Sequence, residues 1–235
     1  MTKKAQNTPK ATLSGRKPVK DALAGKTEKI EKVLINNGAR GEEIDTIRRL
    51  AASLNIPFQF VPEAKLNRLA PNINHQGVVA TVAPIAFYDV DELLSKIAPT
   101  QDVVKQKKPT LLVLDRIEDP HNFGAILRSA LAAGVAGVII PTKHMAQLND
   151  AALKTSAGTA LKIPIARVKR LTDVLNQVKE RGYWVVGADS GGKTAFGDYD
   201  WDKPVVIVMG SESKGIHPEV KAVCDTTLSI PMYGP

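Results

Sequence analysis

The sequence predicts an α/β protein built in two parts. Three observations carry this. From residue 13 to about residue 89, short apolar strands alternate with amphipathic helices. Residues 98–109, APTQDVVKQKKP, mix Pro, Lys and Gln without a strong period and read as a linker. Beyond them, residues 111–114, 138–140, 184–186 and 205–208 are continuous apolar runs separated by helical patterns. Strands apolar on both faces argue for a parallel sheet covered on both sides. The expected division is a basic tail at 1–12, a small α/β domain at 13–97, the linker at 98–109 and a parallel-sheet domain at 110–235.

The first part reads element by element. Residues 15–23, GRKPVKDAL, form a short capped helix, and 30–35 form a strand rich in Val, Ile and Leu. Ile44, Ile47, Leu50, Ala51 and Leu54 recur at helical spacing, so 42–54 is an amphipathic helix. A strand at 57–61, a helix started by Pro62 and running to 69, and a strand at 78–82 complete it. In the second part, ligands bind beyond the carboxyl ends of parallel strands. The loops that matter are therefore 115–122, 141–148, 187–197, 209–215 and 231 onward. Residues 228–235, LSIPMYGP, make a short strand that ends in a Pro/Gly turn with nothing to cover it, so the sequence reads as cut before a final helix. There is no internal repeat.

Composition narrows the classes. The 235 residues are 43% hydrophobic and 24% charged, which supports a folded core. No apolar run approaches the ~20 residues that span a bilayer. The basic N-terminus has no apolar stretch behind it, which excludes a secretory signal peptide. A single cysteine, Cys224, excludes an internal disulfide and a cysteine-based zinc site, and a reducing cytoplasmic setting is the simplest reading. The net charge is +8, and residues 1–32 hold +6 of it in nine basic and three acidic residues. Arg16, Lys17 and Lys20 belong to this stretch. A basic end on a near-neutral body points to an anionic partner, most often nucleic acid; a solvated tail is the plainer alternative. The histidines, His75, His121, His144 and His217, are scattered and read as cap, turn or surface residues.

One motif misleads. Residues 187–194, GADSGGKT, match the phosphate-binding G-x-x-x-x-G-K-[ST] pattern after a strand. That mechanism needs a helix immediately afterwards to supply amides and the positive dipole end. The following AFGDYDWDKP, with one Gly, three Asp and a Pro, is a poor helix. A glycine-rich loop at a strand end is the better reading.

Three other segments carry chemistry. In residues 115–130, DRIEDPHNFGAILRSA, Asp119 or Asn122 can cap the coming helix, and Gly124 permits a close backbone approach. Arg128 falls among Ile126, Leu127, Ala130 and Leu131. A charge on such a helix needs a partner, either an anionic ligand or a neighbouring acid. In residues 209–216, MGSESKGI, two glycines flank a small charged turn that brings Glu212 to a strand's carboxyl end, as a ligand-binding loop or a plain strand-to-helix turn. The third segment is the closing strand with Ile230 and Met232.

These segments resemble, in order and at suitable spacing, the three motifs of the SpoU-type (TrmH-like) RNA 2'-O-ribose methyltransferases: DPHNFGAILRSA, VMGSESKGI and LSIPMYG. The resemblance covers residues 107–235. Residues 13–97, with the NHQGVVA segment at 74–80, are similar to the substrate-binding domain of one branch, a small fold related to RNA-binding ribosomal proteins. The layout is most similar to the bacterial 23S rRNA guanosine 2'-O-methyltransferases. The resemblance implies a SPOUT fold, a parallel sheet with a C-terminal trefoil knot, that holds S-adenosylmethionine and pairs as a homodimer without a membrane or a metal. The family's last motif continues into a further helix where this chain ends at Pro235. By position, Asn122, Arg128 and Glu212 become the catalytic candidates. Gly210, Ile230 and Met232 become the cofactor contacts, and Arg16, Lys17 and Lys20 the RNA contacts. The implied reaction is attack of a ribose 2'-hydroxyl, on a guanosine of large-subunit rRNA, on the sulfonium methyl. Arg128 and an RNA phosphate would orient the nucleophile and take its proton, while Asn122 and Glu212 hold the ribose and the loops. Methylation of tRNA, and a non-catalytic RNA-binding role, share the same motifs.

Overall fold

The computed structural model describes residues 12–25, 30–71, 73–83 and 87–231. The chain forms two units, one of residues 1–86 with 148–162, the other of residues 87–147 with 163–235.

The first unit is built on a four-stranded sheet of order β1-β4-β2-β3. Its strands are β1 (Thr12–Ser14), β2 (Ile30–Asn36), β3 (Phe58–Val61) and β4 (Val78–Val82). Strand β4 runs antiparallel to both β1 and β2, and β3 pairs parallel to β2 at the open edge. Helix α1 (Arg16–Ala24) starts after Gly15 with no side-chain cap, so the expected capping residue is absent. Helix α2 (Glu42–Ser53) buries Ile44, Ile47 and Ala51, and its Glu42, Glu43 and Asp45 face the positive end of the helix dipole. Helix α3 (Glu63–Leu69) follows Pro62 and buries Leu66. Leu13, Val19 and Leu23 are fully buried. Of the basic excess expected in one tail, Lys3, Lys4 and Lys10 lie outside the described residues, while Arg16, Lys17, Lys20 and Lys32 belong to α1 and β2 of a folded unit.

The second unit carries a seven-stranded sheet of order β7-β6-β5-β10-β8-β11-β9. The strands are β5 (Thr110–Leu114), β6 (Gly137–Pro141), β7 (Ile165–Val168), β8 (Trp184–Ala188), β9 (Thr194–Ala195), β10 (Val205–Met209) and β11 (Thr226–Ser229). Every pairing in it is parallel. The helices are α4 (Val90–Ile97), α5 (Gln101–Lys107), α6 (Pro120–Ala132), α8 (Leu171–Glu180) and α9 (Pro218–Val223). Leu93, Val104, Leu175 and Val178 from these helices pack on Val113, Ile139, Val206 and Val208 of the central strands in one core. Continuous apolar strands covered by helices are what the runs at 111–114, 138–140 and 205–208 required.

Three expectations need correction. The segment 98–109 is not a linker: Thr100 caps α5 through its hydroxyl, and Val104 is buried in the core of the second unit. Its apolar positions are too few to register as a helical period. Residues 148–162 do not belong with the parallel sheet. They form α7 (Asp150–Thr155) and a short 3-10 turn at Thr159–Leu161 within the first unit. There the Asp150 carboxylate accepts bonds from the Thr12 amide (2.7 Å) and the Thr12 hydroxyl, a pairing of residues far apart in sequence. Strand β7 has no counterpart among the apolar runs, because it is four residues long, follows Pro164 and is interrupted by Arg167.

Because β1 is a short strand whose Leu13 is fully buried, Leu13→Ala is expected to cost about 2–5 kcal/mol in the first unit. Urea denaturation followed by circular dichroism checks this, and a shift under 1 kcal/mol contradicts the packing described.

Candidate active site

The sheet order locates the site before any side chain is considered. From β5 the chain moves outward through β6 and β7, and β10 later inserts on the other side of β5. The strand order reverses between β5 and β10, and at such a switch point the loops leave in opposite directions and open a crevice. A cleft of about 750 Å³ lies there, walled by the loop after β5 and the loop after β10. Its lining includes Arg116, Asn122, Ser211, Glu212, Lys214 and His217.

Each wall has a local cause. The carboxylate of Asp119 accepts from the backbone amides of His121 and Asn122, capping α6, and Pro120 occupies the first turn. This presents Asn122 at the helix start, where its Nδ2 donates to Glu212 Oε2 at 3.3 Å. The loop after β10 is a tight turn: Ser211 and Gly215 exchange backbone hydrogen bonds of 3.1 and 2.8 Å. A Cβ on Gly210 would stand 2.0 Å from the Gly215 carbonyl carbon, so only glycine permits this close approach. The buried Asp115 carboxylate accepts from the His217 amide at 2.6 Å, and Arg116 Nη2 donates to the Gly215 carbonyl at 3.3 Å, so the β5 loop braces the β10 loop.

The structure brings together some predicted residues and not others. Asn122 and Glu212 meet. Arg128 does not join them and does not line the cleft. The expectation that it is a charge held among apolar neighbours is corrected: α6 buries Phe123, Gly124, Leu127 and Ala130, and Arg128 lies exposed on another face. Among the described residues no hydrogen bond or ion pair engages it. Gly210 is half-buried at the end of β10, Ile230 is 63% exposed just past β11, and Met232 lies outside the described residues. Of the basic residues on α1, Arg16 donates to the carbonyls of Gln76 (3.1 Å) and Arg40 (3.3 Å), and Lys20 pairs with Glu43 at 3.7 Å. Lys17 is exposed and has no such partner among the described residues.

The glycine-rich loop after β8 is not a phosphate-binding loop. It runs into β9 rather than a helix, and a Cβ on Gly192 would stand 2.3 Å from the Leu228 carbonyl carbon, so the loop packs on the backbone of β11. Sequence reasoning overlooked Asp189 within it. This residue leaves the carboxyl end of β8, between β10 and β11, and pairs with Lys221 of α9 at 2.9 Å. The Lys221 ammonium, followed by the Gly191 amide, holds its carboxyl below the ordinary carboxylate value. The signal in the sequence was an acidic residue at a central strand's end. Among the described residues, no three His, Cys, Asp or Glu side chains cluster as metal ligands would. His75 and His217 hold turns: His75 Nδ1 accepts from the Gly77 amide at 3.0 Å, and His217 caps α9.

Comparison with known proteins shows the class, an RNA methyltransferase of the SpoU type. The SpoU rRNA methylase family matches residues 109–235, and the domain described as RNA 2'-O ribose methyltransferase substrate binding matches 12–88. A TrmH family tRNA/rRNA methyltransferase of Staphylococcus haemolyticus is 40% identical over 94% of this chain and 86% of its own. A Staphylococcus aureus protein of the same name is 38% identical over 94% of this chain and 87% of its own. Among solved structures, the SpoU methyltransferase AviRb of Streptomyces viridochromogenes, in complex with AdoMet, aligns with a TM-score of 0.76 at 26% identity, over 96% of this chain and 82% of that one. An AdoMet-bound rRNA methyltransferase from Sinorhizobium meliloti aligns with a TM-score of 0.74 at 25% identity, over 97% and 80%. The chain belongs to the SpoU rRNA methylase family.

Two outcomes follow from this geometry. Gly210→Ala must displace the 211–215 turn and with it Glu212, and a shift of about 1 Å is enough to lower methyl transfer about 10²-fold. Single-turnover assays check this, with wild-type rates as the contrary result. The Asp189–Lys221 pair predicts a pH dependence. A carboxyl whose folded pKa is depressed contributes stability that is present above its ordinary value of 3.8 and is lost as pH falls through the lowered folded value. The urea midpoint of the wild type should therefore exceed that of Asp189→Asn near neutrality, with the difference shrinking below about pH 4. A constant difference would contradict the assignment.

Proposed function

We propose that this chain transfers a methyl group from S-adenosylmethionine to the ribose 2'-hydroxyl of one nucleotide, a guanosine, in 23S rRNA. The single observation that carries this reading is the Asn122–Glu212 pair at the mouth of the β5/β10 switch point. The residues present fit the cofactor. An adenosine joined through a sulfonium to a methionine chain needs apolar surface and backbone hydrogen bonds rather than phosphate-binding amides. Ile230 offers exposed apolar surface past β11, and the Gly210 turn offers backbone at the end of β10. Gly210, Ile230 and Met232 would hold it, and when bound it supplies an electrophilic methyl carbon.

The chain's own residues then do the rest. A ribose hydroxyl is a weak acid, so alignment contributes most. The Asn122 amide, tied on one side to Glu212, orients the ribose, and Glu212 holds the loop and accepts from a sugar hydroxyl. A guanidinium holds its proton, so Arg128 works with a phosphate: it fixes the phosphate and the nucleophile together, and the hydroxyl proton passes to water. Because Arg128 lies exposed and away from the Asn122–Glu212 pair of its own chain, it serves at a site completed by a second copy, and the enzyme acts as a homodimer in the cytoplasm. The first unit carries the RNA-binding surface, with Lys17 and the basic N-terminal stretch contacting phosphates.

Tritiated S-adenosylmethionine offered with 23S rRNA and with tRNA tests the substrate, and mapping of the labelled nucleotide tests the position. Label in tRNA alone overturns the rRNA assignment. Arg128→Lys keeps the charge but loses the planar fork, and Arg128→Ala loses both. Both should lower single-turnover methylation about 10²–10⁴-fold, with cofactor binding and thermal stability nearly unchanged. Near-wild-type turnover by Arg128→Lys would remove Arg128 from catalysis.

A further inference from the structure

A second cleft, of about 280 Å³, opens at the carboxyl ends of β6 and β7 and shares Arg116, His144 and His217 with the cleft of the Asn122–Glu212 pair. Its walls carry Arg116, Lys143, Lys169 and Arg170, against the carboxylates of Asp115 and Glu219. Asp115 accepts from the His217 amide and pairs with Arg116 at 3.5 Å, and Arg170 pairs with Asp173 at 3.7 Å. Lys143 and Lys169 are exposed, and among the described residues no carboxylate pairs with either. Two uncommitted ammonium groups on one groove beside the crevice make a positive surface that attracts anions.

Arg116 joins the two clefts, and its backbone is informative. It adopts φ 60°, a left-handed conformation that strains a side-chain-bearing residue. Such strain persists where surrounding structure holds it, and it gathers at functional sites. The guanidinium donates one hydrogen bond, to the Gly215 carbonyl, and its buried Nε pairs with the Asp115 carboxylate at 3.5 Å without a hydrogen bond. Of its five donors, the two on Nη1 are left uncommitted among the described residues, at the wall between the clefts.

We propose that this groove grips the RNA backbone beside the target nucleotide, Lys143 and Lys169 neutralising phosphates and Arg116 fixing the phosphate nearest the Asn122–Glu212 pair. The inference rests on the proposed methylation of RNA and adds the path by which the strand enters. The charge favours a polyanion, and a planar fork at the junction suits a phosphodiester better than a point charge would. These residues are positioning residues: they act on where the RNA lies, not on the reacting atoms.

The test uses the full chain, a fluorescein-labelled single-stranded RNA oligonucleotide of mixed sequence, and a range of KCl concentrations. Each lost phosphate contact on a single strand flattens the salt dependence by about 0.7. The double variant Lys143→Ala/Lys169→Ala should therefore bind with a slope shallower by about 1.4 and an affinity about tenfold weaker. Lys105→Ala, an equal kind of charge loss on α5, should leave the slope near wild type. In methylation of 23S rRNA at saturating S-adenosylmethionine, the double variant should raise the KM for RNA with kcat within about twofold. Arg116→Lys should raise KM at an unchanged salt slope. A double variant whose slope and KM match those of Lys105→Ala overturns the groove. If the wild type binds RNA with the expected slope difference but transfers no methyl group, the proposed reaction fails while the groove stands. If the wild type methylates normally and the slopes do not differ, the groove alone fails.

Discussion

The site depends on one close approach of the backbone to itself. At the end of β10 the chain turns so tightly that Gly210 lies against the carbonyl of Gly215, with no room for a methyl group. This approach lets Ser211 and Gly215 bond to each other, which sets Glu212 at the tip of a short stiff turn. The turn is then braced from β5 by Arg116, and the β5 loop in turn holds His217 through Asp115. Asn122 completes the arrangement because Asp119 caps α6 and fixes where the helix begins. Removing the close approach would leave Asn122 in place with nothing to meet.

The same economy operates on the neighbouring strands. Gly192 brings the loop after β8 onto the backbone of β11, and Asp189, just before it, is pinned by Lys221 of α9. The carboxyl ends of β8, β10 and β11 are therefore tied by contacts in which backbone matters more than side-chain shape. On the proposed function, this rim is where the cofactor would be held through backbone groups. The apolar Ile230 at 63% exposure is the part of that rim a solvent-facing turn would not otherwise present.

Function in this unit is distributed by charge as well as by shape. The crevice holds an amide and a carboxylate suited to a sugar hydroxyl, while the adjoining groove holds cations suited to phosphate. Arg116 stands between the two kinds of chemistry. The first unit is organised differently: Arg16 and Lys20, which composition alone marks as free cations, are engaged by the Gln76 and Arg40 carbonyls and by Glu43. Charge counted along a chain overstates what is available, because a folded domain consumes part of it in holding its own loops.

The sequence by itself determined most of the strands, though not β1, β7 or β9, together with the parallel sheet and the placing of motifs at strand ends. These rest on local signals: apolar runs at 111–114 and 205–208, the Ile44–Ile47–Ala51 stripe, and an Asp-Pro start to α6. It also excluded the phosphate-binding loop, since a helix cannot form over AFGDYDWDKP. Tertiary structure alone decided the rest. That Asn122 and Glu212 touch follows from β10 lying beside β5, an order no local pattern encodes. That 148–162 joins the first unit follows from Asp150 meeting Thr12, and that 101–107 is a docked helix follows from a core waiting for Val104. Arg128 was legible as a residue but not as an exposed one, because an apolar-looking helix hides its polar face until the sheet shows which side it covers. Local propensity acts between residues a few positions apart. The contacts that join the β5 and β10 loops link residues 90 or more positions apart, and only the folded sheet brings those together.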